Sequence, residues 1–140
     1  MSKFQGAKPK PAKFGNPKSA QSAPEDPDRL PPIFSFEYMK AGNGYSVDCC
    51  TADHRSALAS RLFKLSQMTW LQIRMADRHG LGSEKIARNS LRVPIPAKVT
   101  EDADFLALRY NGMTPMIGYR DGRTFYILFL DHTMDVYNHG

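Results

Sequence analysis

The sequence predicts an α+β fold: a two-layer domain in which two or three helices pack on a small antiparallel sheet that closes with a C-terminal β-meander. Three observations carry this expectation. Between Phe105 and Gly140, apolar runs are separated by Asn111-Gly112 and Asp121-Gly122. These are strong hairpin signals, because a type I′ turn needs positive φ at both central residues. Leu58, Leu62 and Leu65 recur at i, i+4 and i+7, the stripe of a helix with one buried face. Phe34, Phe36 and Tyr38 alternate with Ser35 and Glu37, the period-2 pattern of a half-buried strand.

In chain order, residues 1–32 are rich in Pro, Lys, Ser, Ala and Gly and show no hydrophobic periodicity. Such a segment buries too little apolar surface to offset its ordering entropy, so it is expected to be a disordered basic tail. It would serve as an arm that follows phosphates or simply as a solubilising linker. Residues 33–140 form the expected single domain. Its first strand opens at Ile33, Ala41 to Gly44 turn the chain, and a second short strand fits Tyr45 to Cys49. A helix from about Ala52 to Gln67 follows, with Thr51 or Asp53 as its N-cap. Thr69-Trp70-Leu71-Gln72 reads as a capping box, so a second helix starts at Trp70 and should end near His79-Gly80, where glycine takes the αL conformation. Ser83 is placed to cap one further turn through Ile86 and Ala87, and Pro94 and Pro96 exclude a long helix after that. In the meander, Met116 to Arg120 and Thr124 to Leu130 are apolar enough to be central strands. Alternation puts Arg109 on one face with Ala107 and Phe105, and Leu106, Leu108 and Tyr110 on the other.

Composition bounds the function loosely. The 140 residues suffice for one domain plus a tail, and 19 Lys and Arg against 14 Asp and Glu give a net charge of +5. The excess is modest, but Lys3, Lys8, Lys10, Lys13 and Lys18 cluster with no acidic residue among them, which raises the weight of a polyanionic partner. No apolar run approaches the ~18 residues of a membrane span, and the N-terminus lacks the apolar core of a signal peptide. Cys49 and Cys50 are adjacent, a poor geometry for a mutual disulfide, and the chain has no CxxC pair. A reducing cytoplasm is expected. There is no Walker loop, GxSxG, HExxH or GxGxxG opening a helix, so nucleotide-driven, serine-hydrolase, zincin and dinucleotide chemistry is poorly supported.

Two clusters could carry chemistry. Arg120 and Arg123 flank the Asp121-Gly122 turn, and arginine can grip a phosphate with paired hydrogen bonds and stabilise a phosphorane. The ordinary alternative is an arginine paired with Asp or Glu on a solvated face. Near the C-terminus, Asp131, His132, Asp135, Tyr137 and His139 follow closely. An imidazole there could take a proton from a 2′-hydroxyl or give one to a leaving 5′-oxygen. The spacing from His132 to His139 matches no tight metal-ligand motif, and a tail that simply packs against the sheet is the ordinary alternative. Trp70 reads as core. Arg74 and Arg78 share a helix face, and with His79, Lys85, Arg88 and Arg92 they make the middle of the chain basic.

The layout of Phe34 to His139 resembles the RelE/ParE superfamily of bacterial toxins, chiefly through Leu106–Arg109, Gly118-Tyr119-Arg120, Phe125-Tyr126-Ile127-Leu128, Asp131-His132 and Val136-Tyr137. The resemblance implies two helices against a small antiparallel sheet and a RelE-like, ribosome-associated endoribonuclease that cleaves mRNA by metal-free transesterification. It implies phosphate binding by Arg109, Arg120 and Arg123, and proton transfer by Tyr137 with His132 or His139. The catalytic set expected is therefore His132, Tyr137, His139 and Arg120, with Arg109, Arg123, Arg74, Arg78 and Lys85 on nucleic acid. The partners would be RNA, the ribosome and an antitoxin protein, with no cofactor or metal. The chain departs from the family in its length, its basic tail, its insertion from Gly80 to Thr100 and its short last strand. A second class fits the composition equally: a small non-catalytic protein of a phage or mobile element that inhibits a host protein, such as gyrase or a defence factor, or a nucleic acid. A subunit of an RNA–protein particle anchored by the lysine arm is a third.

Overall fold

A computed structural model describes residues 25–76 and 83–137 of the chain. Within them the α+β expectation holds. Two α-helices lie with a five-stranded sheet: β1 (Ile33–Ser35), α1 (Ala52–Leu65), α2 (Trp70–Met75), β2 (Ser83–Ile86), β3 (Phe105–Asn111), β4 (Thr114–Asp121) and β5 (Thr124–Leu130). The strand order is β1-β5-β4-β3-β2. All neighbours are antiparallel except β1, which runs parallel to β5 with Phe34 opposite Phe125.

The helices follow their sequence signals. Thr51 caps α1 by accepting from the His54 N–H. At α2 the reciprocal capping box is complete: the Thr69 hydroxyl accepts from the Gln72 N–H at 3.1 Å, and the Thr69 N–H donates to Gln72 Oε1 at 2.9 Å. Both helices cover one sheet face. Leu58, Leu65, Trp70 and Ile73 pack there on Leu108, Tyr110, Met116, Phe125, Ile127 and Leu130. The other face, with Phe105, Ala107, Ile117, Leu128 and Phe129, is covered by Leu91, Val93, Ile95 and Val99 of the irregular connection and by Val136 and Tyr137. The proline-containing insertion thus acts as a second cover, suited to a segment that cannot be helical.

Several local expectations are corrected. The alternation from Ile33 to Tyr38 yields strand only to Ser35, because the Ser35 hydroxyl accepts from the Glu37 N–H and the Met39 N–H turns back to Phe36 O. Tyr45 to Cys49 is not a strand. Val47–Cys49 is a 3₁₀ turn, and Tyr45 gives the sheet one hydrogen bond, its carbonyl accepting from the Leu130 N–H. Ser83 caps no helical turn: Ser83–Ile86 pairs with β3, where an open edge offers hydrogen bonds that an isolated turn could not supply. α2 ends at Met75, and the expected end at His79-Gly80 lies outside the described residues.

The hairpins form, but one residue later in register. β3 ends on Asn111 and β4 on Asp121, so the central pairs are Gly112-Met113 and Gly122-Arg123. Positive φ occurs at Gly112 (58°) and Gly122 (63°) and, among the described non-glycine residues, at Met134 alone. Glycine at the first central position is the type II′ pattern, not the type I′ expected. A bulge also breaks β5: Ile117 opposes Phe129 while Gly118 opposes Ile127. Leu128 and Phe129 therefore both reach the second core.

The expected tail is described only from residue 25, and its last part is folded against the domain. Pro27–Arg29 is a 3₁₀ turn capped by Asp26. Leu30 O accepts from the Trp70 N–H, and Pro31 O accepts from Arg123 Nε at 2.9 Å.

Candidate active site

The sheet separates the nominated residues into two groups at opposite ends. β5 begins beside Arg120 and Arg123 and ends before Asp131 and His132. Its length at ~3.3 Å per residue puts roughly 20 Å between them. Arg120 and His132 therefore do not share one reacting phosphate.

At the His132 end, the cluster is built from three elements. Asp131 is fully buried, and its Oδ1 accepts from the Asp135 N–H at 2.8 Å and the Val136 N–H at 3.1 Å. This pins the turn after β5, with Met134 in the left-handed region at φ 61°. The His132 ring then meets His54 of α1, with centroids 6.1 Å apart, and Tyr45 at 6.3 Å. His132 Nε2 donates to Gly44 O at 2.7 Å. A carbonyl can only accept, so in the neutral ring the lone pair lies on Nδ1. His54 Nδ1 lies 2.8 Å from the Tyr110 hydroxyl, which leaves Nε2 for exchange with a ligand. His54 reaches this place because it lies one turn before Leu58 on the stripe that α1 turns to the sheet. Both imidazoles are partly exposed.

The surroundings are polar but anchored. Tyr45 Oη donates to Asp135 Oδ1 at 3.0 Å, and the Thr133 hydroxyl donates to the same oxygen at 2.6 Å. Those bonds, Thr133's foremost, hold the Asp135 carboxyl below its ordinary range, with a smaller pull from His132. Arg55 follows His54 on α1 and is anchored through Nη1, which donates to Cys50 O at 2.5 Å. Cys50 is buried against Tyr110, and burial pushes its thiol up. Among the described residues no group of three or more His, Cys, Asp or Glu is arranged to hold a metal ion.

Tyr110 is pushed well above the ordinary phenol value, chiefly by burial and then by Cys50 and Asp131. Its neutral form is thus favoured by folding. That contribution is complete below the unfolded value of about 10 and is lost as pH rises through the higher folded value. We expect chemical-denaturation midpoints to fall above pH ~10 and the Tyr110→Phe variant to show a shallower fall. An equally steep fall in both proteins would contradict the assignment.

The other nominated residues lie elsewhere. Tyr137 is in the second core, bridging Leu91, on the face opposite the helices. Arg109 follows the alternation expected for it. Its side chain leaves the helix face, with Nη1 2.6 Å from Met113 Sδ, while its carbonyl accepts from Arg61. Arg123 sits in the β4–β5 turn and holds Pro31 O. His139 and Arg78 lie outside the described residues.

Arg120, Arg74 and Lys85 do come together, at the far end of the sheet, around a cleft of about 440 Å³ also lined by Asp26, Asp28, Trp70 and Asp104. Arg120 takes the ordinary alternative, an ion pair with Asp28. Trp70 is core as expected, fully buried, with Nε1 donating to Arg123 O at 2.9 Å. His54, Arg55 and Cys50 escaped the sequence reading. The available signal was His54's position on the leucine stripe, which aims an imidazole at the sheet.

No family model, curated protein or solved structure matches the chain. No helix among the described residues is long and apolar enough to cross a membrane.

Proposed function

We propose that the chain is a RelE-like endoribonuclease that cleaves RNA by transesterification, with His54 and His132 as its proton-transfer pair. The observation that carries this reading is the placement of two partly exposed imidazoles with centroids 6.1 Å apart, each fixed through one nitrogen. In the proposed step the 2′-oxygen attacks phosphorus and the P–O5′ bond breaks, giving a 2′,3′-cyclic phosphate and a 5′-hydroxyl. His132 Nδ1 takes the 2′-hydroxyl proton and protonated His54 gives one to the leaving 5′-oxygen. Arg55 supplies positive charge for the phosphorane. Beside Tyr45 a cleft of about 580 Å³, lined by Lys40, Asn43, Val93 and Ile95, offers room for a neighbouring base.

The test is incubation of the purified full chain with mRNA, with and without ribosomes, followed by end-group analysis. Fragments ending in 2′,3′-cyclic phosphate are expected, most abundantly with ribosomes. Intact RNA under both conditions would overturn the reading. A non-catalytic inhibitor of a host protein is favoured by one feature, the apolar side chains left uncovered on the helices: Phe63 is 72 % and Met75 79 % exposed. That reading gains if growth arrest survives loss of both histidines but not Phe63→Ser with Met75→Ser.

A further inference from the structure

Asp28 is held by two arginines at once. Its Oδ1 accepts from Arg120 Nη2 at 2.5 Å, and its Oδ2 lies 2.9 Å from Arg74 Nη2. Arg120 is itself fixed: its guanidinium lies 4.4 Å from the centre of the Trp70 ring, and its Nε donates to Gly122 O at 2.6 Å. That leaves its outer edge aimed into the cleft, the geometry in which arginine recognises an oxyanion. Lys85, opposite Leu106 on the same sheet face, adds a third cation to the wall.

The carboxylates present are unequal in origin. Asp104 belongs to the sheet's own border, whereas Asp26 and Asp28 arrive on the 3₁₀ turn Pro27–Arg29, which contains no buried residue. The chain is anchored just beyond, where Leu30 O, Pro31 O and the Ile33 N–H bond to Trp70 and Arg123. Lifting residues 26–29 while Leu30 to Ile33 stay in place would break the Leu30 N–H bond to Pro27 O and the two Asp28 ion pairs but would uncover no buried side chain of the turn. With the turn in place, three cations face three carboxylates. Without it, Arg74, Lys85 and Arg120 face Asp104 alone. A phosphate carries more acceptor oxygens than the Asp28 carboxylate and could engage both guanidiniums at once.

We propose that this cleft is a phosphate-binding site and that Asp28 is its intramolecular plug, competing with the ligand for Arg74 and Arg120. The site lies at the opposite end of the sheet from the histidine pair and does not depend on it.

The experiment measures binding to the full chain by titration calorimetry, using inorganic phosphate and a single-stranded 2′-O-methyl RNA oligonucleotide with either a 5′-phosphate or a 5′-hydroxyl. A methylated 2′-oxygen cannot attack phosphorus, so failure here and failure of the cleavage reading are separate results. Asp28→Asn keeps the side chain's shape and removes its charge. It is expected to tighten phosphate binding about tenfold or more, the scale of a hydrogen bond between charged groups. Arg74→Gln, at a half-exposed position, should weaken binding by a similar factor without unfolding the protein, and Arg120→Gln should do the same. Preference for the 5′-phosphorylated oligonucleotide would assign a terminal phosphate as the ligand, and equal binding of both would assign backbone diesters. Failure of every probe to bind Asp28→Asn, or affinities indifferent to Asp28→Asn and Arg74→Gln alike, would overturn the proposal.

Discussion

Replacing His54 with glutamine is expected to lower the rate of the proposed RNA cleavage by about 10²–10⁴-fold while leaving the fold intact, the range a positioned acid or base contributes. Glutamine suits the test because its amide can still meet the Tyr110 hydroxyl, which lies 2.8 Å from His54 Nδ1. Alanine would leave that buried hydroxyl short of a partner, a loss of about 1–3 kcal/mol that would blur the result. His132→Ala should cost a comparable factor. The double variant should be little worse than either single one, because residues that serve one proton exchange act as a unit. The pH profile of kcat/KM separates their roles. The base must be neutral and the acid protonated, so His132→Ala should remove the acid limb of a bell-shaped curve and His54→Gln the alkaline limb. Full cleavage by both single variants, with an unchanged profile, would remove the pair from the mechanism. By contrast Tyr137→Phe, in the second core, should leave the rate within a few-fold.

What the sequence disclosed were features encoded by adjacent residues. The Thr69–Gln72 capping box, the leucine stripe of α1 and the strand alternation around Arg109 are all settled within one or two turns of chain, and each appears as read. Features that depend on a distant partner were not legible. Ser83 to Ile86 carries no marked strand propensity and becomes β2 because β3 has an edge to pair. The parallel pairing of β1 with β5 joins segments about ninety positions apart, and no local period records it.

The site divides in the same way. His132 was legible as a histidine following an apolar strand, but its neighbour is on α1. The arginines drew notice by their closeness to one turn in sequence. Yet Arg123 spends its Nε on Pro31 O, and Arg120 is turned over Trp70 toward Asp28. Asp28 itself lay in a segment whose composition gave no reason to expect a fixed side chain. The opposing ends of β5 follow from strand geometry alone: a seven-residue strand holds whatever precedes it roughly 20 Å from whatever follows it.

Gly118→Ala is expected to be the most damaging substitution of a single small residue in the sheet. A Cβ built at Gly118 would lie 1.9 Å from Tyr126 O and 2.8 Å from its carbonyl carbon, with Phe125 Cζ at 3.1 Å. The obstacle is the backbone of β5, which cannot rotate aside as a side chain would. Relief requires β4 and β5 to part where Gly118 opposes Ile127, next to the bulge. Overpacking of this kind costs about 1–3 kcal/mol where side chains give way, and a backbone clash should reach or exceed the upper figure. That is a large share of the stability of a domain this size. Gly122→Ala is the matched control. It has open space around its Cβ but φ at 63°, so it should cost only the backbone strain of a sparsely allowed conformation, about 1–3 kcal/mol. Urea midpoints should therefore fall in the order wild type, Gly122→Ala, Gly118→Ala, with unchanged slopes for any variant that still folds. A Gly118→Ala protein as stable as Gly122→Ala would mean that the strands do not approach this closely. The same contact bears on the site. The bulge beside Gly118 sends both Leu128 and Phe129 to the second core and returns Leu130 to the first, so it sets the direction in which the chain leaves β5 for Asp131 and His132. A Gly118→Ala variant that remains folded should thus lose the proposed cleavage as well as stability, while Gly122→Ala, at the far end of β5, should retain it.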